Sequence, residues 1–251
     1  MSPYALPAEI WAAGLVFIRV GAIVMLLPGI GESFVPPRIR LSFALVLTLC
    51  ILPVAIATLP PLPATVGEMA GVALKELFIG LLVGGLLRML LAALAVTGEV
   101  VSLQTTLAFA QTANPSQAQP GGTLTAFLTM FGIVLIFATG LHRMFIGAIA
   151  NSYDLFAPAK RLMVEDAGMV AVRTLAQTFS LGVQLAAPVI VFSLIFNIAT
   201  GLIGRVMPQF QIFFAATPLN ILLGLSIFAL SLGLVGLVWI NAYTDFVALL
   251  T

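Results

Sequence analysis

The sequence predicts an all-α, polytopic integral membrane protein built from long, partly broken helices. Three observations carry this. Only 8% of the 251 residues are charged and 61% are apolar, whereas an ordinary soluble domain carries roughly 25% charged residues. The mean hydropathy is +1.20. Charge-free windows cover Leu41–Gly67, Val100–Leu141, Thr174–Gly204 and Val206–Thr244, and a membrane-crossing helix needs about 20 mostly apolar residues. The apolar runs are continuous, which favours helices over the alternating strands, about 10 residues each, of a membrane barrel.

The elements follow in order. Ile10 to Leu27 is the first apolar segment, interrupted only by Arg19 and closed by Pro28-Gly29. No cleavable signal peptide is expected, because acidic Glu9 precedes this run and no basic leader does. A short polar stretch, Glu32 to Arg40, leads to the second segment, Leu41 to about Leu59, which ends at Pro60-Pro61-Leu62-Pro63. Proline cannot continue a helix there. The third segment reads as one long helix from Thr65 to about Val101 and carries Glu68, Lys75, Glu76, Arg88 and Glu99. At about 100° per residue, Glu68 shares a face with Lys75, and Arg88 with Glu99. Such a stripe faces protein or water rather than lipid. Leu124 to Leu141 is the fourth segment, closed by Gly140-Leu141-His142-Arg143, and Met144 to Phe156 follows. The loop from Ala157 to Gly168 gathers Lys160, Arg161, Glu165 and Asp166. Val170 to Leu202 is a further helix, with breaks expected at Pro188 and Pro208. Pro218 to Leu250 is the last, with a bend expected near Gly233. Basic residues do not fall on one side of these spans, so the positive-inside rule assigns no orientation.

The chemistry is sparse. A net charge of +1 gives no basic face for nucleic acid. The single Cys50 permits no intrachain disulfide, and the single His142 makes no metal site alone. No nucleophile elbow, phosphate loop or dinucleotide fingerprint occurs. The expectation is a non-enzyme without metal or cofactor, with His142 at the end of a span. Asn114-Pro115-Ser116 is similar to the half-helix turn of water channels, but those need two such turns and this chain has one Asn-Pro. The intramembrane charges Arg19, Lys75, Glu76, Arg88 and Glu99 could line a solute or proton path. The balance of signs favours pairing with one another or with neighbouring subunits. Ser102 to Thr123 is uncharged, rich in amides and hydroxyls, and ends in Pro-Gly-Gly-Thr. A plain extramembrane loop is one reading; exposed loops usually carry charge, however, and this composition suits a segment packed against protein or filling a cavity.

Taken together, several short pieces resemble the FliR family, the flagellar biosynthetic protein of the type III export apparatus. They are Phe17-Ile18-Arg19-Val20-Gly21, the turn Pro36-Pro37-Arg38-Ile39-Arg40, Lys75-Glu76-Leu77-Phe78-Ile79-Gly80, Gly98-Glu99 leading to Gln104, Gly140-Leu141-His142, Ser152-Tyr153, and Arg205-Val206-Met207-Pro208-Gln209-Phe210 with Pro218-Leu219. Their order and spacing are what is specific. The chain departs from the family pattern at Thr106 and Ala216, where glycine is usual, and at Asn114, where aspartate is usual.

The resemblance implies a single membrane domain over 1–251, divided into a FliP-like part, 1–165, and a FliQ-like helical hairpin, 166–251. It implies a core subunit of the flagellar protein export gate in the bacterial inner membrane and flagellar basal body. The partners implied are FliP-like and FliQ-like subunits, FlhB-like and FlhA-like proteins, unfolded flagellar export substrates and membrane lipid. It further implies that the segment from about Thr106 to Gly122 plugs the closed pore through Thr106, Phe109, Gln111, Asn114, Pro115, Gln117, Gln119, Pro120 and Gly121. Arg19, Lys75, Glu76, Arg88, Glu99, Arg205 and Gln209 become intramembrane or inter-subunit polar contacts. Two alternatives stay open: a virulence-type secretion homologue of the same architecture, and a stand-alone secondary transporter.

Overall fold

The computed structural model describes residues 5–108, 122–158, 164–207 and 212–250, and among them there is no strand. Seven helices are described: α1 (Ala5–Leu26), α2 (Pro37–Ala55), α3 (Val66–Gln104), α4 (Gly122–Ala138), α5 (Leu141–Leu155), α6 (Val164–Val206) and α7 (Ile212–Ala248). By length and apolarity, five can cross a membrane, or up to six spans if the broken pair α4–α5 counts as one.

Local chemistry explains the boundaries. After α1 the chain turns through Gly29 at φ 86°, and the Gly31 amide returns to the Leu27 carbonyl at 2.7 Å. Pro36 precedes α2 and Pro37 occupies its first turn, where a missing N–H costs nothing. The helix therefore starts at Pro37, four residues before the expected Leu41. The Thr65 hydroxyl accepts the Glu68 amide at 3.3 Å at the start of α3, a side-chain N-cap. Gly140, at φ 78°, separates α4 from α5 in the left-handed conformation that glycine takes without penalty. Glu165 and Asp166 open α6 and Arg205 closes it, each complementing the helix dipole. That charge pattern carries α6 back to Val164, six residues before the expected start.

The break expected at Pro188 does not occur: Pro188 lies inside continuous α6. Gly233 lies inside α7, which runs unbroken from Ile212 to Ala248. A proline in an apolar helix removes one backbone bond, and its neighbours can satisfy the freed carbonyl. Pro208 lies outside the described residues. Pro218, the expected start of the last run, instead sits within α7.

The chain divides into two compact units. One covers 1–90, 137–175 and 244–251; the other covers 91–136 and 176–243. In the first, Leu15, Val16, Val20 and Ile23 of α1 are buried with Ile79, Val83 and Leu87 of α3 and Phe145 and Ile149 of α5. The α1–α3 crossing rests on Gly80: a Cβ there would lie 2.6 Å from the Arg19 carbonyl oxygen. In the second unit, a Cβ on Gly98 would lie 2.6 Å from the Thr125 Cα, and one on Gly182 would lie 2.8 Å from the Ala93 carbonyl oxygen. These obstacles are backbone and cannot rotate away. Close backbone approach through small residues is the usual way apolar helices associate where lipid removes the hydrophobic drive.

This predicts a contrast along one helix. Gly71 of α3 meets nothing within 4 Å, so Gly71→Ala should be neutral or stabilise slightly through helix propensity. Gly80→Ala and Gly98→Ala should each cost about 1–3 kcal/mol by overpacking. Thermal unfolding of the detergent-solubilised protein separates them; equal midpoints for all three variants would contradict the close crossings.

Candidate functional site

The first unit holds a charged cluster in an apolar interior. Arg19 is wholly inaccessible to solvent. Its Nε donates to Glu76 Oε2 at 2.6 Å, its Nη1 to the Ser152 carbonyl at 2.8 Å, and its Nη2 to the Phe156 carbonyl at 3.0 Å. The guanidinium carbon stands 4.1 Å from the centre of the Tyr153 ring. Ser152 and Phe156 lie at the C-terminal end of α5, where the helix dipole is negative; the Ser152 carbonyl also accepts the Phe156 amide at 3.0 Å. Arg19 thus meets a carboxylate, two helix-end carbonyls and an aromatic face. Glu76, also inaccessible, neutralises the charge. Its Oε1 and the Tyr153 hydroxyl have no hydrogen-bond partner among the described residues.

The other expected polar residues separate from this cluster. Lys75 Nζ donates to the Pro158 carbonyl at 2.6 Å and borders a cavity of about 560 Å³ whose lining is largely apolar, including Leu82, Leu155, Phe156 and Val170. Arg88 pairs with Glu32 at 3.4 Å across a partly exposed surface. Glu99 is exposed and accepts a hydrogen bond from the Thr125 hydroxyl at 3.3 Å. Arg88 and Glu99, predicted to share a face, therefore each have a different partner. Arg205 is exposed. His142 stacks on Phe137 with ring centres 5.4 Å apart, and its Nδ1 has no hydrogen-bond partner among the described residues. Among the described residues, no group of three or more His, Cys, Asp or Glu is placed to hold a metal ion.

The second unit holds the root of the uncharged segment. α3 ends at Gln104, and the Thr105 and Thr106 amides bond back to Val101 and Leu103 at 2.9 and 3.2 Å. Thr106 follows at φ 60°. This left-handed conformation is natural for glycine and rare for a β-branched residue, and it coincides with a position where the family pattern has glycine. The Gln104 side chain accepts from the Ser193 hydroxyl, and its backbone carbonyl accepts from Asn220 Nδ2 at 3.2 Å. Phe109, Gln111, Asn114, Pro115, Gln117, Gln119, Pro120 and Gly121 lie outside the described residues, as does Gln209. Sequence reasoning quoted Ser152-Tyr153 only as part of the family pattern, and gave no role to Glu32, Tyr153, Ser193 or Asn220, or to the carbonyls of Ser152 and Phe156.

The Arg19 cluster predicts a double-mutant signature. Arg19→Met strands Glu76 without a partner and should cost about 3–5 kcal/mol. Arg19→Met with Glu76→Leu should recover most of that loss, because an apolar pair needs no compensation. Arg19→Lys should fall between them, since lysine keeps the charge and loses the planar fork. Unfolding midpoints of the purified protein test this; strictly additive single-variant losses would show that the pair is not coupled.

Comparison with known proteins completes the description. The family described as Bacterial export proteins, family 1, matches residues 10–246. The chain is 49% identical over 251 residues to the flagellar biosynthetic protein FliR of Caulobacter vibrioides, covering 100% of both chains. It is 31% identical over 238 residues to FliR of Aquifex aeolicus, covering 92% of this chain and 89% of that one. It is 27% identical over 214 residues to FliR of Escherichia coli, covering 84% and 80%.

Proposed function

The chain belongs to the bacterial export proteins, family 1, and is a component of the flagellar type III export apparatus; from that premise we propose that it helps form and plug the channel through which unfolded flagellar subunits cross the inner membrane. The observation that carries the reading is the match over residues 10–246, reinforced by identity along the whole length of a flagellar relative. The role is non-enzymatic and passive. The segment from Thr106 to Gly122 blocks the pore at rest and moves aside for cargo, with the energy supplied by other parts of the machine. Residues 1–165 act as a FliP-like part and 166–251 as a FliQ-like hairpin. FliP-like and FliQ-like subunits flank the chain, and FlhB-like and FlhA-like proteins complete the apparatus.

Two features support a multi-subunit setting. α6 and α7 present large apolar side chains outward, among them Phe179, Leu194, Leu222 and Leu230. The helices α3, α6 and α7 have 39, 43 and 37 residues. At about 1.5 Å per residue they are roughly 55–65 Å long, about twice the apolar thickness of a bilayer. Apolar helix that lipid cannot cover needs protein to cover it.

Two experiments test the reading. A tagged chain purified from gently solubilised membranes should bring down FliP-like and FliQ-like proteins; a chain that purified alone, folded, and transported a small solute would overturn it in favour of a transporter. Deleting Thr112 to Gly121 should leave the complex assembled and make the membrane leak ions and small molecules. An assembled complex that stays tight after the deletion would remove the plug role.

A further inference from the structure

The end of α3 is held from two sides by side chains of α6 and α7. Gln104 is the last helical residue of α3, and its carbonyl is one of those a helix end leaves unpaired. Asn220 of α7 supplies the missing donor at 3.2 Å. On the other side, Ser193 of α6 donates to the Gln104 side chain. Ser193 is 1% exposed, Asn220 3% and Thr105 0%, while Gln104 itself is half-buried, so both donors are shielded from water and their acceptors only in part. The packing is equally tight. A Cβ on Gly224 would lie 2.4 Å from Thr105 Cγ2 and 3.7 Å from the Phe192 ring. Asn220 and Gly224 are four residues apart and share one face of α7, while Phe192 and Ser193 are neighbours on α6. The last turn of α3 is therefore wedged between α6 at 192–193 and α7 at 220–224.

Directly after the wedge, Thr106 takes its left-handed φ of 60°. A β-branched residue keeps such a conformation only where its surroundings over-determine it. Among the described residues its hydroxyl reaches the Thr105 carbonyl, at 2.6 Å, a contact within the turn itself. Among the described residues, the contacts next to it that can over-determine it are those of Gln104 and Thr105.

We propose that Gln104, Ser193 and Asn220, with Thr105 seated on Gly224, form a latch that fixes the root of the uncharged segment to α6 and α7. The latch makes any shift of α6 against α7 a shift of the root. This regulatory role rests on the plug reading above. When the latch opens, Thr106 is free to leave its strained conformation, and the direction in which the chain leaves α3 changes. The latch uses neutral hydroxyls and amides, so it exchanges partners without exposing a bare charge to lipid. These are positioning residues; none is assigned contact with cargo.

The test uses the assembled apparatus with its partner subunits. The variants are Ser193→Ala, Asn220→Leu, Gly224→Ala, and Gly224→Ala combined with Thr105→Ser. Two readouts are taken: amide hydrogen exchange across residues 102–108 in the purified complex, and small-molecule leak in intact membranes. Each lost hydrogen bond should raise exchange at the root about fivefold and increase leak. Gly224→Ala should do the same by displacing Thr105, and Thr105→Ser, which lacks Cγ2, should restore protection. That rescue carries the test where Asn220→Leu does not assemble. Unchanged exchange in assembled Ser193→Ala and Gly224→Ala complexes would overturn the latch. So would raised exchange with a tight membrane, if deletion of Thr112 to Gly121 does leak. Raised exchange with a deletion that stays tight would support the latch and remove the plug reading instead.

Discussion

Arg19 carries a full charge into an interior with no water to solvate it, and the architecture of its unit depends on how that charge is met. An isolated buried guanidinium costs far more than a single contact returns. Three segments must therefore converge: α1 brings the arginine, α3 the Glu76 carboxylate, and the end of α5 two carbonyls and the Tyr153 ring. The close approach and the ion pair have one cause. Glu76 and Gly80 stand four residues apart on one face of α3. The Arg19 side chain meets the first while its carbonyl oxygen rests against the second. A larger residue at position 80 would push α1 outward and lengthen the 2.6 Å contact. The salt bridge is thus as much a consequence of the glycine as of the charges.

A buried pair of this kind is weak evidence for added stability, since an apolar pair of similar volume often serves as well. Its physical effect is register. Apolar helices packed on apolar helices can slide, because one leucine contact resembles another. Arg19 has one carboxylate and one helix end to reach, and a slip of a turn, about 5.4 Å, would lose both. The second unit solves the same problem with uncharged groups. The Thr97 hydroxyl lies 2.9 Å from the Ala93 carbonyl and 3.1 Å from that of Gly182, and Gln104 sits between Ser193 and Asn220. Charge fixes register in the first unit and hydrogen-bonding amides and hydroxyls fix it in the second.

Much of the fold was legible in the sequence, because its cause is local. A run of apolar residues, a proline pair and a glycine turn each act within a few positions. The long α3 and the break at Gly140 could therefore be read directly. Pro188 was misread for the same reason: it is a helix breaker by propensity, and apolar surroundings that leave the backbone no water to bond override propensity. The site was legible only in halves. Arg19 and Glu76 stood out as charges in apolar runs, but the partners that fix Arg19 are two backbone carbonyls, which no side-chain letter records. The pairing of Arg88 with Glu32 crosses from α3 to the turn after α1, and helical periodicity sees one helix at a time. Ser193 and Asn220 are single polar letters in apolar helices, and nothing short of the tertiary contact distinguishes them from Ser180 or Asn197.

The departure at Thr106 links these levels. A glycine at this position would carry the left-handed turn after α3 at little conformational cost in the folded state. Here the same φ is imposed on threonine, so the cost must be met by contacts made elsewhere. The contacts at hand are those that hold Gln104 and Thr105: α3 itself holds Thr105 through the Val101 carbonyl, and α6 and α7 add the rest. A glycine at this position would let the root of the segment bend with little regard to its neighbours. Threonine ties the bend to the packing of two other helices, and a local substitution becomes a coupling between the segment's origin and the helices around it.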